Sequence, residues 1–126
     1  MMDQPSALEL VTAVREFIEK HAMPELHGRT AFHARVAGNA LAIVARELEQ
    51  GDEANKAEKG RLKALIGVDG TLEELNRELC RRIRSNSIAL DDQSLAAHLR
   101  ETTLAKVAID QPTYSGFKYS PYRRQT

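Results

Sequence analysis

Residues 28–50 read GRTAFHARVAGNALAIVARELEQ, and the order of side chains in this stretch decides the fold. At about 100° per residue they are apolar over most of a helical circle. Phe32, Val36, Ala40 and Ile43 occupy one side, with Val44, Ala37, Leu41 and Leu48 further round. Ala31, Ala34, Gly38, Ala42 and Ala45 form a stripe of small residues on which a neighbouring helix can come close. The persistently polar sector holds Arg35, Asn39 and Arg46. A helix apolar nearly all round is normally the buried centre of a bundle. The stretch therefore predicts an all-α fold of about five helices packed around a central buried helix at residues 29–50. Phe32, Val36, Ile43 and Val44 are its expected core.

Toward the N-terminus, Ser6 and Glu9 have capping-box spacing, in which each side chain bonds the other residue's backbone N–H. A helix is expected from there to about residue 20, with Leu10, Val11, Val14, Phe17 and Ile18 on one stripe. Pro24 breaks or kinks that pattern and Gly28 marks a turn. Toward the C-terminus, Asp52 reads as the cap of a weaker third helix over residues 52–66. Gly60 inside it costs about 1 kcal/mol against Ala. Gly67 is placed to close a helix in the left-handed conformation. Thr71 and Glu74 form a second capping box, opening a helix with the stripe Leu72, Leu75, Leu79 and Ile83. Asp91 and Asp92 open a fifth helix over residues 93–109, and Pro112 ends regular structure. Residues 1–110 are thus expected as one helical-bundle domain, and residues 111–126 as an extended tail.

The chain has 126 residues, of which 42% are hydrophobic and 29% charged, an ordinary globular balance. Lys plus Arg and Asp plus Glu are both 18, so no global charge argues for nucleic acid or an anionic membrane. No apolar run has the length of a membrane span, and the first residues lack a signal-peptide pattern. The expectation is a soluble, cytoplasmic protein that binds neither nucleic acid nor membrane. The single cysteine, Cys80, excludes an intrachain disulfide and reads as a half-buried structural thiol.

Two polar features stand out on the central stretch. His33, within the apolar arc, fits either a neutral core histidine or a group that contacts a ligand. Arg35, Asn39 and Arg46 share one sector, where two guanidiniums and an amide can grip an anionic metabolite or tie the helix to a neighbour. The second role is the expected one for Arg35 and Asn39. His21, His27, His33 and His98 include no i, i+4 pair, so no metal site is expected. There is no phosphate loop or nucleophile motif, and neither catalytic residues nor a cofactor is assigned. Arg81, Arg82 and Arg84 share their helix with Glu73, Glu74 and Glu78 and read as a solvated face.

The tail carries Tyr114, Phe117, Tyr119 and Tyr122, with Arg123 among its basic residues. Its charge is +3, against −3 for residues 1–110 (15 basic, 18 acidic). Aromatic side chains with Arg are enriched at protein interfaces, so the tail is expected to lie on a protein surface, its own or a second protomer's.

Residues 28–41, GRTAFHARVAGNAL, together with DQPSALEL at 3–10 and LAKVAIDQP at 104–112, resemble a small bacterial family of all-helical domains of unknown function. The resemblance implies a gene encoded near acyl-CoA dehydrogenase-like and aminoglycoside-phosphotransferase-like enzymes. The resemblance implies an accessory role beside such an enzyme and supplies no catalytic residues. Three readings follow: a non-catalytic interaction or accessory protein that binds a protein partner or itself, a module for a small anionic ligand, and an enzyme of unknown reaction.

Overall fold

A computed structural model describes residues 4–119, with side chains through residue 117. It is all-helical, with four α-helices among the described residues: α1 (Ala7–Phe17), α2 (Gly28–Ile66), α3 (Leu72–Arg84) and α4 (Gln93–Asp110). The chain divides into two compact units, Met1–Gly51 and Asp52–Thr126.

The two helices expected at 29–50 and 52–66 are one continuous helix of 39 residues. The reason is local. Between residues 46 and 66 the chain has no proline and is rich in Glu, Ala, Lys and Leu, all good helix formers. Gly51 and Gly60 each cost about 1 kcal/mol, too little to break so strong a run. Asp52 is therefore an interior residue and not a cap.

In the first unit, the Ser6–Glu9 capping box forms as expected. The Ser6 hydroxyl accepts from the Glu9 N–H at 3.3 Å, and the Glu9 carboxylate accepts from the Ser6 N–H at 2.7 Å. After Phe17 the helix widens into a π turn, Ile18–Ala22, and then tightens into a 3-10 turn, Met23–Glu25. Proline explains the change. Pro24 has no N–H to give and its ring collides with a carbonyl one turn back, so the ladder shifts to wider spacing just before it. The Met23 N–H accordingly donates to the Ile18 carbonyl. This segment lies on the small-residue stripe of α2. A β-carbon added to Gly38 would stand 3.6 Å from the Glu19 side chain and 3.9 Å from that of Ile18.

The expectation of a buried central helix is overturned. Gly38, Ala42 and Gly51 are the buried residues of the first unit among those described. Phe32 is 58% exposed, Val36 and Val44 are about half exposed, and Ile43 is partly covered. The physical reason is that a helix has two sides. The neighbour settled on the alanine and glycine stripe, where close approach is easiest, and left the arc of large side chains uncovered.

The second unit holds the better core. Leu62 and Ile66 of α2, Leu75 and Leu79 of α3 and Leu95 of α4 pack together, with Leu65, Leu72, Ile83 and Ile88 against them. The Thr71–Glu74 capping box starts α3, and the Asp92 carboxylate caps α4 by accepting from the Leu95 N–H at 2.8 Å. Gly67, at φ 71°, takes the left-handed conformation that ends α2.

The tail begins differently from the extended segment expected. Ser115–Tyr119 is a 3-10 turn against α4. Phe117 is buried at 3% exposure, whereas Tyr114 is exposed. Tyr122 and Arg123 lie outside the described residues.

Candidate interaction face

The first unit is built from the two amphipathic segments α1 and residues 28–51 of α2. On α1, Leu8, Val11 and Ile18 are partly covered, and the other half of the apolar stripe is left open. On α2, the open arc is the one opposite Gly38 and Ala42. As a result Leu10, Val14 and Phe17 of α1 and Phe32, Val36, Val44 and Leu48 of α2 are each between 42% and 60% exposed. Single exposed apolar residues are normal, but two rows of large ones on adjoining helices of one small unit are not. On the first segment Arg15 pairs with Glu19 at 2.8 Å and Lys20 with Glu16 at 3.0 Å, while residues 28–46 carry Arg29, Arg35 and Arg46, with Glu47 and Glu49 next along the helix.

His33 is exposed, with its ring edge-on to Phe32 at 5.5 Å between centroids. It is therefore not the neutral core histidine of one expectation. Arg35 and Asn39 are exposed, and neither makes a side-chain hydrogen bond among the described residues. The expected ties to a neighbouring helix are absent there. Arg46 is partly covered and has a partner of its own. Cys80 is exposed, not half-buried. Arg81 and Arg82 both grip Glu78, at 2.6 and 2.7 Å, and their donation holds its carboxyl down to about 2. Their charges are thus met within α3.

The second unit contains a buried polar cluster that the helical patterns alone did not single out. The Asn76 amide donates to the Glu58 carboxylate at 2.8 Å and to the Leu72 carbonyl at 3.1 Å. Arg61 Nη2 donates to the Thr102 hydroxyl at 3.2 Å. His98 is 3% exposed, and both its Nδ1 and the Nε of Arg61 are buried without a hydrogen-bond partner. Burial, and then the positive charge of Arg61, push the His98 pKa below its ordinary value, against a weaker opposing pull from Glu58. A signal was present: Leu95, His98, Thr102 and Ile109 recur at helical spacing, so His98 lies on the inner face of α4. The cluster is part-buried, and it ties α2, α3 and α4 to one another. It contains no nucleophile paired with a base.

No helix of the described residues is long and apolar enough to cross a membrane. Comparison with protein families matches residues 24–114 to a domain of unknown function, DUF6285. No curated protein and no solved structure matches the chain.

Proposed function

The chain belongs to the DUF6285 family of domains of unknown function, and from that premise we propose that it is a non-catalytic interaction protein that docks through the open apolar arc of α2 in its first unit. One observation carries this reading: on one arc of α2, Phe32, Val36, Val44 and Leu48 are 44–58% exposed, while Gly38 and Ala42 on the opposite side are buried. Leaving such a face in water forgoes about 25 cal/mol for every Å² that a partner would cover. Among the described residues, the polar groups near it include no base held against a nucleophile, which favours binding over catalysis. The resemblance to domains encoded beside acyl-CoA dehydrogenase-like and aminoglycoside-phosphotransferase-like enzymes makes such an enzyme the client to look for. The test is affinity capture from the native host with the wild-type chain and with Phe32→Asp/Val36→Asp. A protein retained by the first and lost by the second supports the reading, and identical capture by both refutes it.

A second reading rests on Arg35 and Asn39. Both are exposed and without side-chain hydrogen bonds among the described residues, so both are available to an anionic metabolite. Calorimetric titration with phosphorylated and carboxylated metabolites tests it. Binding that survives Arg35→Gln/Asn39→Ala excludes this sector.

A further inference from the structure

We infer that the His98 cluster of the second unit is a proton-operated latch. With His98 neutral, α4 closes on α2 and α3. With His98 protonated, α4 and the turn bearing Phe117 move off while α2 and α3 stay joined. The inference is independent of the docking role proposed for the first unit.

The geometry places a titratable ring where a charge has no outlet. His98 is 3% exposed, and Leu95, one turn before it on α4, is equally buried. The His98 Nδ1 is buried without a hydrogen-bond partner, as is the Nε of Arg61 from α2. A neutral imidazole with one unbonded acceptor nitrogen forgoes a single hydrogen bond. An imidazolium has two donors and a full charge, and burying it unpaired costs far more.

The charged groups around the ring fix the direction of the push. From α2 come Arg61 and Glu58, opposite in sign, so the cluster carries no net charge until the ring takes a proton. Among the described residues α3 supplies the uncharged amide of Asn76, and its part-covered Glu78 and Arg82 are paired with each other at 2.7 Å. The turn after α4 supplies Phe117. On α4 itself Glu101, three residues on, is engaged by an interaction of its own. Glu58 is thus the acid left to answer the new charge, and it already accepts from Asn76 at 2.8 Å. Burial and the repulsion from Arg61 outweigh its pull, and the closed state resists the proton.

The hydrogen bonds decide which element moves. The Asn76–Glu58 bond joins α3 to α2 without the ring. α4 is tied to the same stretch of α2 by Arg61 Nη2 on the Thr102 hydroxyl, at 3.2 Å and one turn from His98. The guanidinium that makes this tie is the one that repels the imidazolium, so the charge acts on the contact between α2 and α4. Outward movement of α4 hydrates the ring and relieves that repulsion. It carries along the Ser115–Tyr119 turn, which packs on α4, and uncovers Leu62, Leu75 and Leu79, which pack with Leu95.

The experiment is hydrogen exchange of the full chain at pH 7.5 and 5.5, with each amide's rate divided by its intrinsic rate at that pH. The amides of residues 98–109 and of Phe117 are expected to lose protection at pH 5.5 by up to about tenfold. That is the most one histidine supplies a pH unit below its ordinary value of 6.5. The amides of Leu75 and Leu79 are expected to keep theirs. His98→Leu is expected to abolish the loss. If that variant does not fold, His98→Gln, polar and uncharged at both pH values, takes its place with the same expectation. Equal loss in α3 and α4 overturns the inference, because the proton then unfolds the unit as a whole. A loss in α4 that persists in the variant overturns it by assigning the response to another group. Unchanged protection of α4 in the wild-type chain at pH 5.5 overturns it as well.

Discussion

His98 shows how one buried side chain sets a pH response. Its neutral form is the one the folded protein accommodates, because burial and the Arg61 charge both disfavour the imidazolium. The unfolded chain binds the proton more readily than the folded one. Stability from this group is therefore complete above the ordinary histidine value of 6.5 and is lost as the pH falls from there toward the depressed folded-state value. Thermal melts between about pH 7 and 5 should fall for the wild-type chain and flatten for His98→Leu. The same substitution removes an unpaired buried nitrogen, so at neutral pH it should hold or raise stability, within about 1 kcal/mol. A melting temperature at pH 5 that falls equally in both proteins contradicts the assignment. Asn76 behaves in the opposite way. Its amide is a hydrogen-bond partner of Glu58, whose residue is only 8% exposed. Asn76→Leu should cost about 2 kcal/mol in denaturant unfolding, since it strands a buried carboxylate. In the sequence no second histidine stands one helical turn from His98. The sequence did not show the cluster, because Glu58, Arg61, Asn76, His98 and Thr102 come from three helices and only packing brings them together.

Among the elements, the helix starts were the most legible. Ser6–Glu9, Thr71–Glu74 and Asp92 cap α1, α3 and α4 as their spacing predicts, because capping is satisfied within four residues. Thr71→Ala should cost about 1 kcal/mol of stability, measured by urea unfolding. The join inside α2 was misread at Asp52 because a cap residue says where a helix is able to start and not whether the preceding one has ended. Gly60 inside α2 and Gly67 just after it then behave differently on substitution. Gly60 has open space where a β-carbon would stand, so Gly60→Ala should stabilise by about 0.5–1 kcal/mol. At Gly67 the positive φ of 71° makes Gly67→Ala destabilising by about 1 kcal/mol. Urea midpoints moving in the same direction for both would contradict this account of the long helix.

For the whole molecule, the contrast lies in the two interiors, each considered by itself. Residues 52–126 bury leucines and isoleucines from three helices and Phe117 from the turn that follows them. Phe117→Ala should cost about 3–5 kcal/mol, whereas Tyr114→Ala at an exposed position should cost well under 1 kcal/mol. The first unit buries small residues, so its amides should exchange with solvent sooner than those of Leu62, Leu75 and Leu79 at low protein concentration. Comparable protection of α1 and α3 in a dilute sample would refute this ordering.

What the sequence determined by itself is what acts over a few residues: the all-helical class, the capping boxes, the Pro24 break, the left-handed Gly67 and the amphipathic stripes. Local hydrogen bonds and side-chain periodicity set these whatever the rest of the chain does. Which stripe is buried was decided only in the tertiary structure. Residues 29–50 carry two surfaces fit for packing, one of small residues and one of large, and periodicity marks both as apolar without ranking them. The ranking came from close approach: Gly38 and the alanines let Ile18 and Glu19 settle against the backbone of α2, and one neighbour covers only one side of a helix. Phe32, Val36, Val44 and Leu48 were left facing outward for that reason, and the candidate interaction face exists because of it.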